Sequence, residues 1–288
     1  MKNQKMINKI DTPIVEAFWQ ELRDKAAEIV EKEPMMRALL DEVILNCMSI
    51  EQGIAKIVAS KLQHELLSKS TVFQICIQAF NDSPKIIEDA IYDMRAVCAR
   101  DPASSSIIVP YLFLKGPQVL IAWRVAHWLW TSGRTELARF FQSIISEVYS
   151  VDIHPAAKIG HGVMLDHATG LVVGETAVIA DRVSILQDVT LGGTGKESGD
   201  RHPKIGRGVM IGAGAKILGN IKVGEGAKIG AGSVVLKDVE PHTTVAGVPA
   251  RQVGKPSIAM PSSAMDQGID IQTGYCPESC GIICSKRI

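Results

Sequence analysis

The sequence predicts an α+β protein with segregated domains: an all-α N-terminal domain, a parallel β-helix of hexapeptide repeats, and a flexible C-terminal tail. Two compositional shifts support this division, because 13 of the 14 aromatic residues precede Val151 and 17 of the 25 glycines lie between Gly160 and Gly232. An aliphatic residue also recurs every six residues over much of the second half. The predicted segments are a helical domain at 1–150, a β-helix domain at 151–255 and a tail at 256–288.

The six-residue repeat predicts strands, because an even period fits the two-residue alternation of a strand and not the 3.6-residue period of a helix. Glycine often follows the aliphatic residue, where it would weaken a helix but allow a turn. A repeat held over this length is typical of a solenoid, whereas a glycine-rich linker would not keep aliphatic residues in register. The repeat positions are Ile153, Ile159, Leu165, Val173, Ile179, Ile185, Leu191, Ile205, Ile211, Ile217, Val223, Ile229 and Val235.

The first half carries helix-start signals followed by apolar residues at helical spacing. Thr12-Pro13 offers an N-cap and a proline at the first helical position. Ser49-Ile50-Glu51-Gln52 has the pattern of a capping box, and Asp101-Pro102 predicts a helix end. The helices are predicted at about 14–30, 34–47, 49–68, 70–80, 84–100, 117–131 and 134–149. We interpret four residues in the sixth helix as packing residues: Trp123, His127, Trp128 and Trp130.

Charge and hydropathy argue against two classes of partner. Lysine plus arginine balances aspartate plus glutamate at 31 each, so no basic surface for nucleic acid or for an anionic membrane is expected. No apolar run reaches the length of a membrane span. Met1 to Asp11 is polar and does not lead into an apolar signal core, which predicts a cytoplasmic protein.

The six cysteines divide between the two ends of the chain. Cys47, Cys76 and Cys98 fall in predicted helices and are expected to be buried thiols. Cys276, Cys280 and Cys284 fall in the tail, where their spacing matches no zinc pattern, and solvated thiols are expected there.

One candidate for acid–base chemistry is the pair formed by Asp152 and His167. The two residues are 15 apart, and a coil of three six-residue faces has about 18 residues, so they lie on adjacent coils. A carboxylate on one ring nitrogen fixes the imidazole tautomer and leaves the other nitrogen free to act as a base. By itself, such a pair could equally be a surface salt bridge.

A polar insertion, Gly192 to Lys204, interrupts the repeat, and solenoids often build binding sites from such loops. Arg201 in this insertion offers a planar fork that matches a carboxylate. The Gly192-Gly193-Thr194-Gly195 stretch would let a long ligand approach the backbone, although a glycine-rich turn alone is weak evidence.

Taken together, these stretches resemble the serine acetyltransferase family, in which hexapeptide repeats form a left-handed β-helix. The resemblance covers roughly Pro13 to Lys255 and is strongest after Arg100. The motifs that carry it are Arg100-Asp101-Pro102-Ala103, His127-Trp128-Leu129-Trp130, Asp152 to Gly160, Leu165 to Gly170, Gly192 to Lys196 and Asp200 to Lys204.

The resemblance implies transfer of acetyl from acetyl-CoA to the hydroxyl of L-serine, which gives O-acetyl-L-serine and begins cysteine biosynthesis from serine. It implies that His167 is the general base and that Asp152 orients it. The expected serine-binding residues are Asp101 and Asp166 for the ammonium group, and Arg201, with His202 beside it, for the carboxylate. Acetyl-CoA is expected as co-substrate, without a metal, near Gly193, Thr194, Ala213, Lys228 and Ala231.

The resemblance also implies partners. The family's sites lie between neighbouring β-helices of a trimer, and its helical half joins two trimers, so a homotrimer or a homohexamer is expected. L-cysteine is a possible feedback inhibitor, because it keeps both charged groups of serine. The terminal Ile288 fits the family's docking residue for O-acetylserine sulfhydrylase, although the preceding Lys286-Arg287 departs from the acidic or aromatic residues expected there.

Three alternatives remain open at this point. A hexapeptide acyltransferase that modifies a sugar or a nucleotide-sugar would share the β-helix and its histidine, but the Arg201-His202 pair suits an amino acid better. A γ-type carbonic anhydrase would need three zinc-binding histidines, and the histidine spacing lacks its His-x-x-x-x-His pair. A non-catalytic scaffold would not need the Asp152–His167 pair.

Overall fold

The structure is a computed structural model that describes residues 12–104, 106–196 and 198–269. Seven helices make up the N-terminal part, and an eighth follows the strands. Their bounds are α1 Thr12–Lys32, α2 Arg37–Leu40, α3 Ile50–Leu62, α4 Lys69–Asp82, α5 Lys85–Arg100, α6 Lys115–Thr131, α7 Thr135–Tyr149 and α8 Pro261–Ala264. Shorter helical turns occupy Pro34–Met36, Asp41–Leu45 and Val109–Phe113.

The local start signals explain most of these helices. Ser49 caps α3 by accepting the Gln52 backbone N–H at 3.4 Å, and the Gln52 side chain accepts the Met48 N–H at 2.8 Å. The prediction that this helix reaches residue 68 is wrong, because α3 ends at Leu62 and a bridge between His64 and Leu67 follows. The helix predicted at 34–47 is present as three consecutive helical segments of different pitch, which together span Pro34 to Leu45, and the turn at Val109–Phe113 had no prediction.

The second part consists of short strands in three sheets. The strands are β1 Asp152–Ile153, β2 Lys158–Ile159, β3 Met164–Leu165, β4 Val172–Val173, β5 Val178–Ile179, β6 Ser184–Ile185, β7 Thr190–Gly192, β8 Lys204–Ile205, β9 Met210–Ile211, β10 Lys216–Leu218, β11 Lys222–Val223, β12 Lys228–Ile229, β13 Val234–Val235, β14 Thr244–Gly247 and β15 Ala250–Gly254. From β1 to β13 each strand pairs in parallel with the strand three places away, in the orders β1-β4-β7-β10-β13, β11-β8-β5-β2 and β12-β9-β6-β3. β14 then pairs with β12, and β15 ends the third sheet antiparallel to β14. The fold is therefore the predicted left-handed parallel β-helix with three strands per coil.

The register of the coils accounts for the two places where the repeat positions are not six residues apart: the eight-residue step from Leu165 to Val173 and the insertion between Leu191 and Ile205. In a regular coil Val173 pairs with Leu191, 18 residues later. In the first coil Leu165 pairs with Ile185, 20 residues later, and in the coil with the insertion Ile185 pairs with Ile211, 26 residues later. Two extra residues thus protrude between β3 and β4, and a longer loop lies between β7 and β8.

Aliphatic residues fill the β-helix interior, as the repeat predicts. In the first sheet one aliphatic residue per coil stacks on the next and is buried, namely Ile153, Val173, Leu191, Ile217 and Val235. Stacking identical positions leaves room only for side chains of similar volume, since protein interiors pack at crystal density. This explains why the larger aromatic residues pack in the helical part instead.

A buried ion pair joins the helices to the first coil. Arg124 on α6 donates from Nη1 to Asp93 Oδ2 on α5 at 2.6 Å and from Nη2 to Gly160 O at 2.9 Å. Asp93 Oδ1 accepts the Val163 N–H at 2.9 Å, and the two side chains are only 5% and 1% exposed. Burial raises the pKa of Asp93 to about 6 against the opposing influence of the Arg124 charge. This network fixes α5 and α6 on the β-helix.

The aromatic residues of α6 belong to the same interface. Trp123 Nε1 donates to His154 O at 3.2 Å, and His127 Nδ1 lies 2.6 Å from Pro155 O. The rings of Trp123 and His127 stack at 5.2 Å. Their prediction as packing residues is confirmed, and Trp128 and Trp130 pack against the same core.

Residues 256–269 are the described part of the predicted tail, and they pack on the third sheet. Pro261 and Ser262 are buried, and Ser262 O accepts the Ser184 hydroxyl at 3.0 Å. Apolar and hydrogen-bonding residues in this segment therefore attach it to the third sheet. Cys276, Cys280, Cys284 and Ile288 lie outside the described residues.

The thiols of the helical part agree with the sequence interpretation, since Cys47 and Cys76 are buried and Cys98 is half-buried. Burial raises the pKa of the Cys76 thiol to about 12.

Within the described ranges, no single helix is long and apolar enough to cross a membrane. One bent pair, Pro34–Leu45 with Ile50–Leu62 at 120°, reaches that length and composition jointly.

Candidate active site

The two extra residues of the first coil are His167 and Ala168, which form a protruding turn between β3 and β4. Both have positive φ angles, 56° and 61°, which non-glycine residues rarely adopt. The Ala168 N–H donates to Asp166 O at 2.6 Å and the Thr169 N–H to His167 O at 2.8 Å, so two three-residue turns overlap. The protrusion leaves the His167 side chain 73% exposed on the outside of the coil. Its ring is free to meet a ligand or a neighbouring subunit.

The structure places Asp152 near this turn but not in contact with His167. Asp152 pairs with Val172, the first residue of the strand that follows the turn. Its Oδ1 accepts a hydrogen bond from Gln142 Nε2 on α7 at 2.7 Å. Among the described residues, no hydrogen bond or ion pair joins Asp152 to His167, because the turn carries the imidazole outward. The nearest acidic group to His167 is Asp166, whose Oδ1 lies 3.9 Å from Nε2.

The two carboxylates expected to bind an ammonium group lie at ends of neighbouring elements. Asp166 directly follows β3, and Asp101 is the C-cap of α5, where its Oδ1 accepts the Ala103 N–H at 2.8 Å. Arg100 anchors this helix end on the third sheet through Ser184 Oγ at 3.0 Å. Ser184 pairs with Met164 in β3, so the fold brings both carboxylates to the same sheet.

Arg201 and His202 leave the insertion loop as a fixed pair. The Arg201 Nη2 donates to Glu175 Oε2 at 2.8 Å, and this hydrogen bond holds the pKa of Glu175 below its usual value. Thr176 Oγ1 accepts the backbone N–H groups of Arg201 at 3.0 Å and of His202 at 3.1 Å. The turn at 175–176 therefore sets the direction of both side chains.

The surroundings of His202 specify its protonation. The Thr176 N–H donates to Nδ1 at 3.2 Å, so Nδ1 is an acceptor and the ring proton resides on Nε2. Burial and, after it, the Arg201 charge lower the pKa of His202, and the residue is only 7% exposed. A Cβ at Gly174 would lie 2.0 Å from Nε2, so the ring rests directly on that glycine. His202 is thus a neutral N–H donor at neutral pH.

The residues expected to contact acetyl-CoA lie at two places on the β-helix. Ala213 and Ala231 occupy the same corner of successive coils, where the Gly232 N–H donates to Ala213 O at 2.8 Å. Gly193 and Thr194 follow β7 in the insertion loop. Small side chains at these positions leave the corner open to a long, thin ligand.

Lys228 differs from the other expected CoA residues because its charge is already paired. Its Nζ donates to Gly268 O at 2.5 Å and lies 3.6 Å from Asp266 Oδ2. A Cβ at the nearby Gly230 would lie 2.8 Å from Ile269 Cδ1. The segment after α8 therefore covers this end of the predicted CoA surface, and no local sequence pattern predicts that cover.

Sequence reasoning missed several residues that shape the site, namely Lys115, Gln142, Glu175 and Thr176. Glu175 and Thr176 lie between two regular repeats. The one signal that could have identified them as site residues is that they adjoin the insertion of the next coil. Lys115 and Gln142 come from helices far away in the sequence. In the described part of the chain no group of three or more histidine, cysteine, aspartate or glutamate residues is arranged to hold a metal ion.

Comparisons with known protein families match both parts of the chain. The family model for the N-terminal region of serine acetyltransferase matches residues 18–122. The model for the bacterial transferase hexapeptide, which comprises six repeats, matches residues 202–237. The two matches fall in the helical part and in the β-helix.

Individual relatives extend over most of the chain. The serine acetyltransferase of Salmonella typhimurium is 53% identical over 253 residues, which cover 88% of this chain and 93% of the relative. The crystal structure of serine acetyltransferase from Brucella abortus in complex with coenzyme A is 48% identical, covers 86% of this chain and 99% of its own, and superposes with a TM-score of 0.83. A serine acetyltransferase in complex with cysteine is 50% identical, covers 88% and 98%, and has a TM-score of 0.86. This chain belongs to the serine acetyltransferase family.

Proposed function

We propose that this protein is a serine O-acetyltransferase, which transfers acetyl from acetyl-CoA to the hydroxyl of L-serine and gives O-acetyl-L-serine and CoA. The observation that carries the proposal is the exposed His167 on its protruding turn, within a β-helix of this family. An imidazole held outside the coil can approach a substrate hydroxyl without competition from core residues. The product is an activated serine and makes the reaction the first step of cysteine synthesis from serine.

His167 acts as the general base of this reaction. It accepts the proton of the serine hydroxyl as that oxygen bonds to the thioester carbonyl carbon. The carbon–sulfur bond then breaks, and the imidazolium returns the proton to the departing CoA sulfur, so that charge and protons balance. In the assembled enzyme Asp152 orients the ring, since its second carboxylate oxygen remains available beside the one held by Gln142.

The charged groups of serine match the charged residues around the turn. Asp101 and Asp166 attract the ammonium group, and Arg201 takes the carboxylate in a bidentate contact. For this, Arg201 exchanges the Glu175 carboxylate for that of the substrate. The neutral His202 presents its Nε2–H beside them and does not add a second positive charge. CoA lies along the corner at Ala213 and Ala231, with Gly193 and Thr194 as further contacts. Lys228 contacts CoA once its Nζ exchanges Gly268 O and Asp266 for the ligand.

A neighbouring subunit completes the site. In the single chain His167 is largely exposed and, among the described residues, forms no hydrogen bond or ion pair with Arg201 or His202, which supports a site assembled between two β-helices. We therefore propose a homotrimer, with a dimer of trimers as the larger form. Analytical ultracentrifugation tests this, and a monomer with full activity would contradict it.

Replacement of Arg201 by lysine is expected to raise the KM for L-serine about tenfold, because lysine keeps the charge but loses the fork of two donors. The KM for acetyl-CoA should stay unchanged. Steady-state kinetics with each substrate varied in turn measures both. Arg207→Lys, at an exposed corner of the next repeat, is the control; an unchanged serine KM in Arg201→Lys would show that Arg201 does not bind the carboxylate.

Release of free CoA thiol from acetyl-CoA tests the function itself. The purified protein is assayed with L-serine, with no acceptor and with a panel of sugar and nucleotide-sugar acceptors. Thiol release that depends on serine supports the proposal. Release that depends on a sugar, or no serine dependence in an intact oligomer, would replace it by the sugar acyltransferase alternative.

Three further proposals depend on this function. L-cysteine binds the serine site as a competitive inhibitor, since it retains both charged groups, and inhibition kinetics with varied serine tests this.

Ile288 docks O-acetylserine sulfhydrylase, and an Ile288 deletion that still forms the complex would contradict the idea. A cytoplasmic location stays a prediction, which cell fractionation tests.

A further inference from the structure

The turn that carries His167 is a strained piece of backbone. His167 and Ala168 are two successive non-glycine residues with positive φ, a backbone conformation that L-residues rarely adopt. Such conformations persist only when surrounding contacts hold them in place. A regular corner of the same β-helix, by contrast, has one positive-φ residue, such as Asp188 or Gly214. The contacts that hold the His167 turn therefore decide where the imidazole points.

The N-terminus of α6 supplies contacts on both sides of the turn. Before it, Gly116 packs so closely on Leu165 that an added Cβ would lie 2.1 Å from Leu165 O. After it, the Lys115 Nζ donates to the Thr169 hydroxyl and to Tyr149 O, the latter at 3.4 Å. Lys115 thus connects the end of α7 with the residue that ends the turn.

Backbone hydrogen bonds anchor the same two flanks. The Asp166 N–H donates to Ile185 O at 2.8 Å, and the Gly170 N–H to Ser150 O at 2.7 Å. The Asp188 N–H donates to Thr169 O at 2.8 Å. The backbone bonds fix where the turn begins and ends, and in the described structure Lys115 is the side chain that bonds to the hydroxyl next to the turn.

We propose that Lys115, acting through Thr169, is a positioning residue that holds His167 in the geometry needed to accept the serine proton. This inference rests on the proposed function, because it assumes that His167 is the base. Lys115 touches neither reacting group. Its ammonium adds two hydrogen bonds, to the Thr169 hydroxyl and to Tyr149 O, beside the backbone bonds that flank the turn. Displacement of a catalytic group by about 1 Å can cost about 10²-fold in rate.

Lys115→Met removes the donor but keeps the aliphatic stem, and Lys115→Arg restores a cationic donor. We expect kcat to fall about 10- to 100-fold in the methionine variant and to recover most of that loss in the arginine variant. The KM for acetyl-CoA should not change, because the CoA corner is on other coils. Lys56→Met is the matched control: Lys56 donates to Glu42 O at 2.9 Å and also links two helical elements, far from the turn.

Hydrogen-exchange mass spectrometry of the peptide spanning 166–171 gives a readout that does not need activity. Without the hydrogen bond from Lys115 to Thr169, exchange of the Ala168 and Thr169 amides should be at least tenfold faster in Lys115→Met. Lys56→Met should exchange at the wild-type rate. Thr169→Val removes only the acceptor at an exposed position and should reproduce the effect, whereas Thr169→Ser should not. This second pair keeps the test decisive if Lys115→Met does not fold.

The proposal is overturned if exchange in this peptide stays at the wild-type rate in both Lys115→Met and Thr169→Val. It is also overturned if exchange rises while kcat stays within twofold of wild type, or if arginine is no better than methionine. Wild type and His167→Ala are assayed in parallel. Absence of serine-dependent activity in wild type would refute the proposed function, and the exchange rates would still show whether Lys115 holds the turn.

Discussion

Replacement of His167 by alanine is expected to lower kcat with L-serine by about 10²- to 10⁴-fold, the usual contribution of a general base. The residue is 73% exposed and lies outside the core, so its loss should leave the fold and the oligomer intact. Thiol release measured at saturating acetyl-CoA and serine gives kcat. Circular dichroism and the melting temperature verify that the variant is folded.

A second surface histidine of the same coil provides the control for this result. His161 Nδ1 lies 3.1 Å from Asp181 Oδ1, and neither residue belongs to the turn that carries His167. His161→Ala should therefore keep kcat within about twofold of wild type. Equal losses in the two variants would point to a general effect on the β-helix. Full activity in His167→Ala would retain the enzyme and reject the base.

The largest effect on stability is expected from Asp93→Ala. This change leaves Arg124 charged, buried and without its partner at 2.6 Å, and it also leaves the Val163 N–H without an acceptor. Removal of one member of a buried ion pair costs about 3–5 kcal/mol in the free energy of unfolding. Urea denaturation followed by circular dichroism, at a fixed protein concentration because the oligomer contributes, measures the loss.

An exposed ion pair between α1 and α5 shows the contrast. Arg95 and Glu21 form an ion pair at 2.5 Å with side chains 44% and 41% exposed, so Glu21→Ala should cost less than about 1 kcal/mol. If Asp93→Ala cost no more than Glu21→Ala, the ion pair would not be what fastens the helices to the first coil. The expected order of stability is wild type, then Glu21→Ala, then Asp93→Ala.

The sequence repeat predicted the architecture of the β-helix because stacked coils impose the same chemistry at every turn. Each coil must present an aliphatic residue inward and, at the corner, a small residue or one with a positive φ angle. The six-residue pattern is therefore visible in the sequence without knowing which residues meet across elements. Even the two-residue offset after Leu165 could be read directly, and it marks the turn of His167. The helix starts were similarly predictable where a local cap existed, as at Ser49.

The sequence could not supply the contacts made across elements. The Asp93–Arg124 pair joins residues 31 apart on two helices, and Lys115 reaches Thr169 from a separate helix. Nothing in a local pattern specifies which exposed lysine faces which corner. For the same reason, spacing along the sequence predicts a pair between Asp152 and His167 but does not specify the direction of the imidazole, which depends on the backbone of the turn.

The residue types in the proposed site follow from the chemistry of the substrate. A zwitterionic substrate requires carboxylates and an arginine, and these stand in motifs of the first coil, the α5 end and the insertion. The residues that hold them, such as Thr176 beneath the Arg201–His202 pair, carry no such chemical mark. Their roles became visible only from hydrogen-bond geometry.

The central claim, acetyl transfer to the serine hydroxyl, is tested most directly by proton NMR of the product formed from acetyl-CoA and L-serine. O-acetylation should produce a new ester methyl signal and shift the serine β-protons downfield, with no such product in His167→Ala. Formation of N-acetylserine, or an unchanged serine spectrum while CoA is released, would contradict the assignment.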